Sequence, residues 1–310
     1  MKEFRGTYAV TLTPFDKRDQ VDEAKIRGHV DFLVQNGIHG IICTGSTGEF
    51  ASLSDDERKR VIQVTVEQTK RRVPVLAGAS ANSSKDVIRY CMMAEKLGAD
   101  GVMLVHPYYC RPSQSELYEH YKYVAERVNL PIMVYNNPLT SGVDIMPETL
   151  ARLSSIDNIQ YVKECSGDAR RPGEILRLCG DRLRVFAGSD DIFLEALLQG
   201  SIGWVCGAAN VLPRETAEIF ELAVEKGNLI AARDYAEKMM SFFFMVETEG
   251  SFVQYLKAGM ELIGRPMGHP RRPLLPVSKE TQHRMKIALR KATGRSLSSA
   301  RSKLHRRRKK

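Results

Sequence analysis

The stretch Ile159-Gln-Tyr-Val-Lys-Glu-Cys165 is an apolar run of strand length with a lysine, Lys163, near its end. A run of this kind is typical of a buried parallel strand. The lysine has two interpretations. Its stem can cross the apolar layer and leave a solvated ammonium at the surface. Alternatively, the amine is partly desolvated with a lowered pKa, so that it can attack a carbonyl carbon and form a Schiff base.

Runs of the same kind recur along the chain, each followed by an amphipathic helical pattern. They cover residues 8–13, 40–45, 73–78, 101–106, 131–135, 159–165, 183–188 and 203–207. The helix after the second run begins with the capping box Ser54-Asp-Asp-Glu57. Eight β-then-α units with near-even spacing predict an α/β fold, the (β/α)8 TIM barrel. A doubly wound open sheet is the alternative that the even spacing disfavours.

Two further helical patterns follow the eighth unit, at residues 229–264 and 279–293. They predict a helical C-terminal extension of the barrel. The expected division is a catalytic barrel at residues 1–225, a C-terminal helical region at 226–294 and a basic, disordered tail at 295–310.

The net charge of +9 comes from that tail. Eight of the 46 Lys and Arg lie at residues 295–310, which contain no Asp or Glu, so the other residues carry 38 basic against 37 acidic side chains. Basic tails bind phosphate backbones, and a non-catalytic or nucleic-acid-binding barrel is therefore an alternative of another class. The tail lacks interleaved aromatic residues, so we expect no nucleic-acid partner.

Other features argue against further classes of protein. No apolar run reaches transmembrane length, and the N-terminus lacks the apolar core of a secretory signal. The six cysteines have no Cys-x-x-Cys spacing, which predicts reduced thiols and a cytoplasmic location. The seven histidines show no metal-binding spacing, so no metal site is expected.

The ends of the predicted strands carry polar, glycine and aromatic residues. Barrel enzymes place their chemistry at the carboxyl ends of the strands, so we expect these residues to share one face with Lys163. The strand ends are Gly45-Ser-Thr-Gly-Glu49, His106-Pro-Tyr-Tyr109, Tyr135-Asn-Asn-Pro138, Gly188-Ser-Asp-Asp191 and Gly207-Ala-Ala-Asn210.

Three of these groups suit a Schiff-base lysine. The amides and hydroxyls of Gly45-Ser-Thr-Gly48 can bind the carboxylate of a 2-oxo acid, although an ordinary strand-to-helix turn uses the same residue types. Tyr135 ends the strand beside Lys163, where a phenol can donate and accept a proton; alternatively it only packs at the barrel top. Tyr109 and the Ser46 hydroxyl can relay protons to solvent.

Four motifs, in order along the chain, resemble the dihydrodipicolinate synthase / N-acetylneuraminate lyase family. They are Gly45-Ser-Thr-Gly-Glu49, Pro107-Tyr-Tyr109, Tyr135-Asn-x-Pro138 and Val162-Lys-Glu164. The resemblance extends from about residue 6 to about residue 276. It implies a barrel with C-terminal helices, usually a homotetramer (a dimer of dimers), that forms a Schiff base between lysine and pyruvate or another 2-oxo acid. It implies no metal and no organic cofactor.

By this resemblance, Lys163 is the Schiff-base lysine and Tyr135 is the proton donor and acceptor. Ser46 supplies the relay hydroxyl, Thr47 the carboxylate-binding hydroxyl, and Tyr109 the tyrosine that a neighbouring subunit contributes. The further substrate-binding candidates on this face are Gly45, Thr140, Gly188, Asp190, Asp191, Val205 and Asn210. Because the lysine is present, the resemblance implies an active class I aldolase or lyase rather than a non-catalytic homologue.

The resemblance leaves three substrate groups open. Pro107-Tyr-Tyr-Cys-Arg-Pro-Ser-Gln114 is similar to the 4-hydroxy-tetrahydrodipicolinate synthases of lysine biosynthesis, but Thr140 stands where those usually have a carboxylate-binding arginine. Asp190 and Asp191 lie where N-acetylneuraminate-lyase-like aldolases bind sugar hydroxyls. Ser166-Gly-Asp-Ala-Arg-Arg171 is similar to sugar-acid dehydratases and a hydroxyproline-pathway deaminase, whose enamine expels a substituent. We expect a 2-oxo-3-deoxy sugar acid, or a cyclic imine relative, rather than aspartate semialdehyde.

Overall fold

The computed structural model describes residues 3–294. The strands are β1 (Gly6–Val10), β2 (Gly40–Cys43), β3 (Val75–Gly78), β4 (Gly101–Val105), β5 (Ile132–Asn136), β6 (Ile159–Glu164), β7 (Arg184–Ala187) and β8 (Gly203–Cys206). Each pairs in parallel with the next, and β1 also pairs with β8, so the sheet closes into a barrel. The predicted (β/α)8 barrel is therefore confirmed, and the open-sheet alternative is wrong.

The helices follow the strands around the outside of the barrel. They are α1 (Glu23–Gln35), α2 (Asp55–Thr69), α3 (Ser84–Lys96), α4 (Gln114–Ala125), α5 (Pro138–Ser141), α6 (Pro147–Leu153), α7 (Arg171–Cys179), α8 (Phe193–Leu198), α9 (Pro213–Phe220), α10 (Leu229–Thr248), α11 (Phe252–Leu262) and α12 (Lys279–Thr293). The predicted capping box at the start of α2 is present, since Ser54 and Glu57 each bond the other's backbone N–H. Such caps stabilise a helix start by about 1 kcal/mol.

The C-terminal extension differs from its prediction at one point. Residues 229–264, predicted as one helical pattern, form two helices, because Gly250 adopts a left-handed φ of 74° between α10 and α11. Helix α10 packs against α9 and α12, so the extension covers one side of the barrel. The tail predicted at residues 295–310 lies outside the described residues.

Two apolar layers form on either side of the sheet, because alternate strand residues point inward and outward. The inner layer consists of Phe4, Tyr8, Val10, Ile42, Leu76, Met103, Val105, Met133, Tyr135, Tyr161, Phe186 and Val205. Its aromatic rings lie over glycines: a Cβ on Gly40 would be 2.1 Å from the Tyr8 ring, and one on Gly203 would be 2.2 Å from the Phe186 ring. The outer layer packs the sheet against the helices.

The register of the sheet determines where the lysine lies. Tyr135, Lys163 and Phe186 are paired across β5, β6 and β7. Tyr161, two residues before the lysine, belongs to the inner layer, and the two-residue alternation of a strand therefore directs Lys163 inward as well. The lysine thus lies inside the carboxyl end of the barrel rather than on its outer surface.

Three observations concern membrane, metal and disulfide chemistry in the described part of the chain. None of the helices in residues 3–294 combines the length and the apolar character that crossing a bilayer requires. No set of three or more His, Cys, Asp or Glu in that range is arranged to hold a metal ion. All six cysteines are free thiols.

Candidate active site

Lys163 and Tyr135 lie together at the carboxyl ends of β6 and β5. Lys163 is 7% exposed and Tyr135 is 5% exposed. The Lys163 Nζ is 4.1 Å from the centre of the Tyr135 ring, a distance typical of a cation–π contact. The Tyr135 hydroxyl accepts a hydrogen bond from Asn137 Nδ2 at 2.8 Å. The structure therefore brings together the amine and the phenol that the sequence placed on neighbouring strands.

Opposing effects act on the protonation of the lysine. Burial lowers the pKa of Lys163, whereas the anionic forms of Tyr135 and Cys165 and the Glu247 carboxylate raise it, and the net direction is upward, contrary to the lowered pKa expected from the sequence. Yet burial raises the pKa of Tyr135 to about 12 and that of Glu247 to about 8, and it also raises the pKa of Cys165. Protonation of these three groups would remove their attraction for the ammonium, whereas the interaction of Lys163 with the Asp190 carboxylate would remain.

Glu247, near the end of α10, is a residue of this site that the sequence did not indicate. Its Oε1 accepts the backbone N–H of Asp190 at 2.7 Å. The Asp190 carboxylate accepts hydrogen bonds from Trp204 Nε1 at 3.0 Å and from the Ala208 N–H at 2.7 Å. These donors stabilise the Asp190 anion, and the pKa of Glu247 is the more strongly raised of this buried carboxyl pair.

Replacing Glu247 with glutamine is expected to stabilise the fold at alkaline pH. Burial raises the pKa of Glu247 to about 8, against about 4.3 in an unfolded chain, so the wild type loses stability as the pH rises between these values. Glutamine stays neutral and can accept the same Asp190 N–H. The variant should gain little at about pH 4 and on the order of 2–4 kcal/mol by about pH 8.5.

Thermal unfolding across this pH range measures the effect. The matched control is Glu237→Gln, which changes an exposed glutamate on the same helix. The prediction fails if the two variants show the same pH dependence.

Asp190 and Asn210, predicted to bind substrate hydroxyls, are engaged with the protein instead. Both are fully buried. Asn210 Nδ2 donates to the carbonyls of Val10 at 2.7 Å and Gly207 at 2.8 Å, and its Oδ1 accepts the Leu12 N–H at 3.0 Å. These bonds satisfy backbone groups that the strand ends leave unpaired. Both side chains are thus engaged with the protein, and their contact with substrate stays a prediction.

The turn after β2 carries the two hydroxyls, of Ser46 and Thr47, that were predicted to contact the substrate. Residues 46–48 form a single 3-10 turn. Thr44, just before it, has a left-handed φ of 54°, and its hydroxyl donates to the Gly78 carbonyl at 2.9 Å, which helps hold this uncommon conformation. Within residues 3–294 the hydroxyls of Ser46 and Thr47 have no hydrogen-bond partner. Ser46 is exposed and therefore available to a ligand, whereas Thr47 is buried.

Thr140 lies on α5, which two polar clusters hold in place. On one side, Ser141 Oγ and His106 Nε2 are 2.9 Å apart. On the other, Arg171 donates two hydrogen bonds to Asp144 at 3.0 and 2.8 Å. The first contact fixes the end of α5, and the second fixes Asp144, three residues after it.

The remaining barrel-end candidates have mainly structural positions. A Cβ on Gly188 would lie 2.4 Å from the Glu164 carbonyl oxygen, and one on Gly45 would lie 2.8 Å from a methyl of Val10, so both glycines permit close approach of neighbouring chain. Val205 is buried in the inner layer. Asp191 is half-buried in the loop after β7.

Tyr109 lies apart from the lysine within one chain. Its side chain is 88% exposed. The loop that carries it is held by Asn82 Oδ1, which accepts the N–H groups of Tyr108 and Tyr109 at 3.2 Å each. Tyr108, not Tyr109, faces the space over Tyr135. Any contribution of Tyr109 to a relay would have to be made to another subunit.

A cleft of about 470 Å³ opens beside Tyr135. Its walls are largely apolar, with Phe50, Val105, Tyr108, Val253 and Leu274. The polar side chains that line it are Ser46, Ser52, Tyr135, Asn137, Thr140 and Ser141, and the charged ones are Glu49, Arg271 and Arg272. The volume is that of a site for a small organic ligand, larger than pyruvate alone would need.

Known proteins share this architecture over nearly its whole length. The model of the "Dihydrodipicolinate synthetase family" matches residues 3–292. The 4-hydroxy-tetrahydrodipicolinate synthase of Syntrophus aciditrophicus (strain SB) is 39% identical over 285 residues, covering 91% of this chain and 96% of that protein. The same enzyme of Geobacter sp. (strain M21) is 41% identical over 274 residues, covering 88% and 93%. The crystal structure of dihydrodipicolinate synthase from Aquifex aeolicus has a TM-score of 0.88 at 32% identity, covering 93% and 98%.

The sequence motifs and the barrel therefore agree with these similarities. The match includes every strand and all three C-terminal helices, α10 to α12. The alternative of a non-catalytic or nucleic-acid-binding barrel has no comparable support. This chain belongs to the dihydrodipicolinate synthetase family and is a Schiff-base-forming lyase that acts on pyruvate or another 2-oxo acid.

Proposed function

We propose that Lys163 is the residue that forms the Schiff base and that Tyr135 transfers the protons. The observation that carries this proposal is the buried Lys163 Nζ, 4.1 Å from the centre of the Tyr135 ring, beside the cleft that Tyr135 lines. A buried amine next to a phenol supplies a nucleophile together with a group that can give and take a proton.

The proposed reaction begins when the neutral Nζ attacks C2 of the 2-oxo acid. Its proton passes to the former carbonyl oxygen, which leaves as water after it receives a second proton from the Tyr135 hydroxyl, so that a C=N bond replaces C=O. Tyr135, now a phenolate, takes a proton from C3, and an enamine forms. The enamine can then attack an aldehyde, or it can expel a leaving group from the next carbon.

The turn at residues 46–48 is the proposed site for the carboxylate of the 2-oxo acid. The unpartnered Ser46 and Thr47 hydroxyls support this assignment, because charge-assisted hydrogen bonds are stronger than neutral ones. Ser46 lines the same cleft as Tyr135.

Reduction with borohydride in the presence of pyruvate tests the proposed function. Reduction of the C=N bond makes the linkage permanent, and intact mass should increase by one pyruvyl-derived group per chain. Peptide mapping should then place that group on the peptide that contains Lys163. Absence of any adduct, or an adduct on another lysine, contradicts the proposal.

The second reactant has two candidates. The similarity to 4-hydroxy-tetrahydrodipicolinate synthases favours condensation of pyruvate with aspartate semialdehyde. The position of Thr140 in the cleft favours a 2-oxo-3-deoxy sugar acid or a cyclic imine, because threonine cannot form a bidentate charged contact with a carboxylate. With Asp190 and Asn210 engaged elsewhere, Ser46, Asn137 and Thr140 are polar groups of the cleft lining that such a ligand could contact.

We expect the sugar acid or imine to be turned over faster than pyruvate condenses with aspartate semialdehyde. Loss of a bidentate charged contact costs about 1.5–3 kcal/mol, or one to two decades of discrimination. Comparing kcat/KM for the two reactions measures this. Efficient condensation with feedback by lysine would instead identify the biosynthetic synthase.

The variant Thr140→Arg tests the position directly. A gain of synthase activity would show that residue 140 selects the substrate, whereas an unchanged ratio of the two activities would place the selection elsewhere in the cleft.

We further propose that the chain works as a homotetramer, a dimer of dimers, in the cytoplasm. The exposed Tyr109 supports an assembly, since it could complete the relay only in a neighbouring subunit. Six free thiols support a reducing compartment. Sedimentation velocity at the assay concentration measures the assembly, and a fully active monomer would contradict this role for Tyr109.

A further inference from the structure

Not every charged side chain that lines the cleft has an ion-pair partner. Glu49 Oε1 is 2.6 Å from Lys257 Nζ, and its Oε2 accepts the Arg271 N–H at 2.8 Å. The Arg271 guanidinium forms two hydrogen bonds with the Glu57 carboxylate. Arg272 has neither an ion pair nor a hydrogen-bond partner among residues 3–294. Residues 1–2 and 295–310 contain no Asp or Glu that could supply one.

The neighbouring residue fixes the position from which Arg272 reaches the cleft. Besides Glu57, the Arg271 side chain bonds the carbonyls of Ser52 at 2.8 Å and Asp19 at 2.6 Å. The backbone N–H of Arg271 is held by Glu49. Because residue 271 is anchored at these points, the backbone at residue 272 has little freedom to move. The exposed guanidinium of Arg272 can therefore change its position only through side-chain rotamers.

An unpaired guanidinium beside a largely apolar cleft favours the binding of a ligand with an anionic group. A guanidinium presents two parallel donors that match a carboxylate, and such charge-assisted pairs are about twice as strong as neutral hydrogen bonds. The carboxylate next to the reacting carbonyl has its own proposed site at residues 46–48, after β2. Arg272 lies on a different segment, between α11 and α12. We therefore expect it to contact a second anionic group rather than the same carboxylate.

We propose that Arg272 binds a carboxylate at the end of the substrate remote from the Schiff base. The substrate class is then a 2-oxo-3-deoxy sugar acid that carries a second, distal carboxylate in the same molecule. This inference rests on the proposed Schiff base at Lys163. It makes Arg272 a specificity-determining residue that touches the substrate but takes no part in the proton transfers.

Borohydride trapping with matched 2-oxo acids tests the proposal without knowledge of the natural substrate. The probes are 2-oxoglutarate and 2-oxoadipate, compared with 2-oxopentanoate and 2-oxohexanoate, which have chains of the same length and no distal carboxylate. The measured quantity is the concentration that gives half-maximal adduct, read by intact mass. The wild type should require less of the dicarboxylic acids than of their partners.

Arg272→Ala should raise the half-saturating concentration of at least one dicarboxylic probe by about ten- to a hundredfold. It should leave pyruvate and the monocarboxylic probes unchanged. Arg272→Lys should retain part of the preference, because an ammonium keeps the charge but loses the bidentate geometry. Arg111→Ala is the matched control, since the Arg111 side chain lies beside Gly142 at the end of α5 and outside the cleft lining.

Two results would overturn the proposal: a wild type without preference for the dicarboxylic probes, or the same preference in Arg272→Ala as in the wild type. Loss of preference in Arg111→Ala alone would assign the role to that arginine instead. If pyruvate itself leaves no adduct on the wild type, the proposed Schiff base fails, and the inference about Arg272 falls with it. Trapping of pyruvate with no effect of Arg272 is a failure of the Arg272 assignment alone.

Discussion

Replacing Lys163 with alanine is expected to abolish both the pyruvate adduct and turnover. The amine is the proposed nucleophile, and its loss removes the covalent path, so that kcat/KM should fall by at least about 10⁴-fold. The residue is 7% exposed and paired with Tyr135 across the sheet, so the change also leaves a small cavity. Intact mass after borohydride reduction and steady-state kinetics measure the two effects.

The matched variant is Lys163→Met, which keeps an unbranched side chain in the same space. If the loss were caused by altered packing, methionine should restore activity; if it is caused by the missing amine, methionine should be as inactive as alanine. Circular dichroism and Tm verify that both variants fold. An adduct of unchanged yield in either variant would assign the Schiff base to another lysine.

Replacing Tyr135 with phenylalanine is expected to keep the fold and lower kcat by about 10²-fold or more, the scale of a lost positioned proton donor. The ring remains in the inner layer, and only the hydroxyl is removed. Asn137 Nδ2 loses its acceptor, but Asn137 lines the open cleft, where water can replace it. Single-turnover kinetics with pyruvate separate slower formation of the Schiff base from a slower later step.

The control is Tyr161→Phe, which removes another hydroxyl from the same inner layer. That hydroxyl accepts the Phe4 N–H at 3.1 Å, where β1 begins, away from the carboxyl ends of the strands. The Tyr161→Phe variant should have a slightly lower free energy of unfolding and a kcat near the wild-type value. A Tyr135→Phe enzyme with near-normal kcat would show that Tyr135 only packs against Lys163.

The barrel and its central pair of residues could be predicted because each depends on local periodicity. Strand-length runs, caps such as Ser54 and glycine stops gave the order of the elements, and neighbouring strands in a barrel are consecutive in sequence. Tyr135 and Lys163 therefore had to be adjacent once both were placed at strand ends. The structure shows the same register, with Tyr135 opposite Lys163.

The side chains whose roles changed depend on contacts that periodicity does not encode. Asp190 and Asn210 look like free polar groups at strand ends, but their carboxylate and amide are consumed by backbone groups. Glu247 reaches Asp190 from a helix 57 residues later in the chain, and no pattern in α10 marks which of its residues faces the barrel mouth. Arg272 lies in a segment without regular structure, where the sequence offers no face or period.

The anchoring of Arg271 has a consequence for how this enzyme can diverge. One side chain ties its segment to Glu57, Ser52 and Asp19, while the adjoining residues contribute to the cleft wall. Substitution at position 271 would remove the contacts that hold this segment, whereas, if Arg272 binds the substrate as proposed, substitution at position 272 would change the ligand that the cleft recognises. Descendants of a common ancestor could thus exchange substrates through single mutations in this segment, while inheriting the lysine and tyrosine on β6 and β5 unchanged.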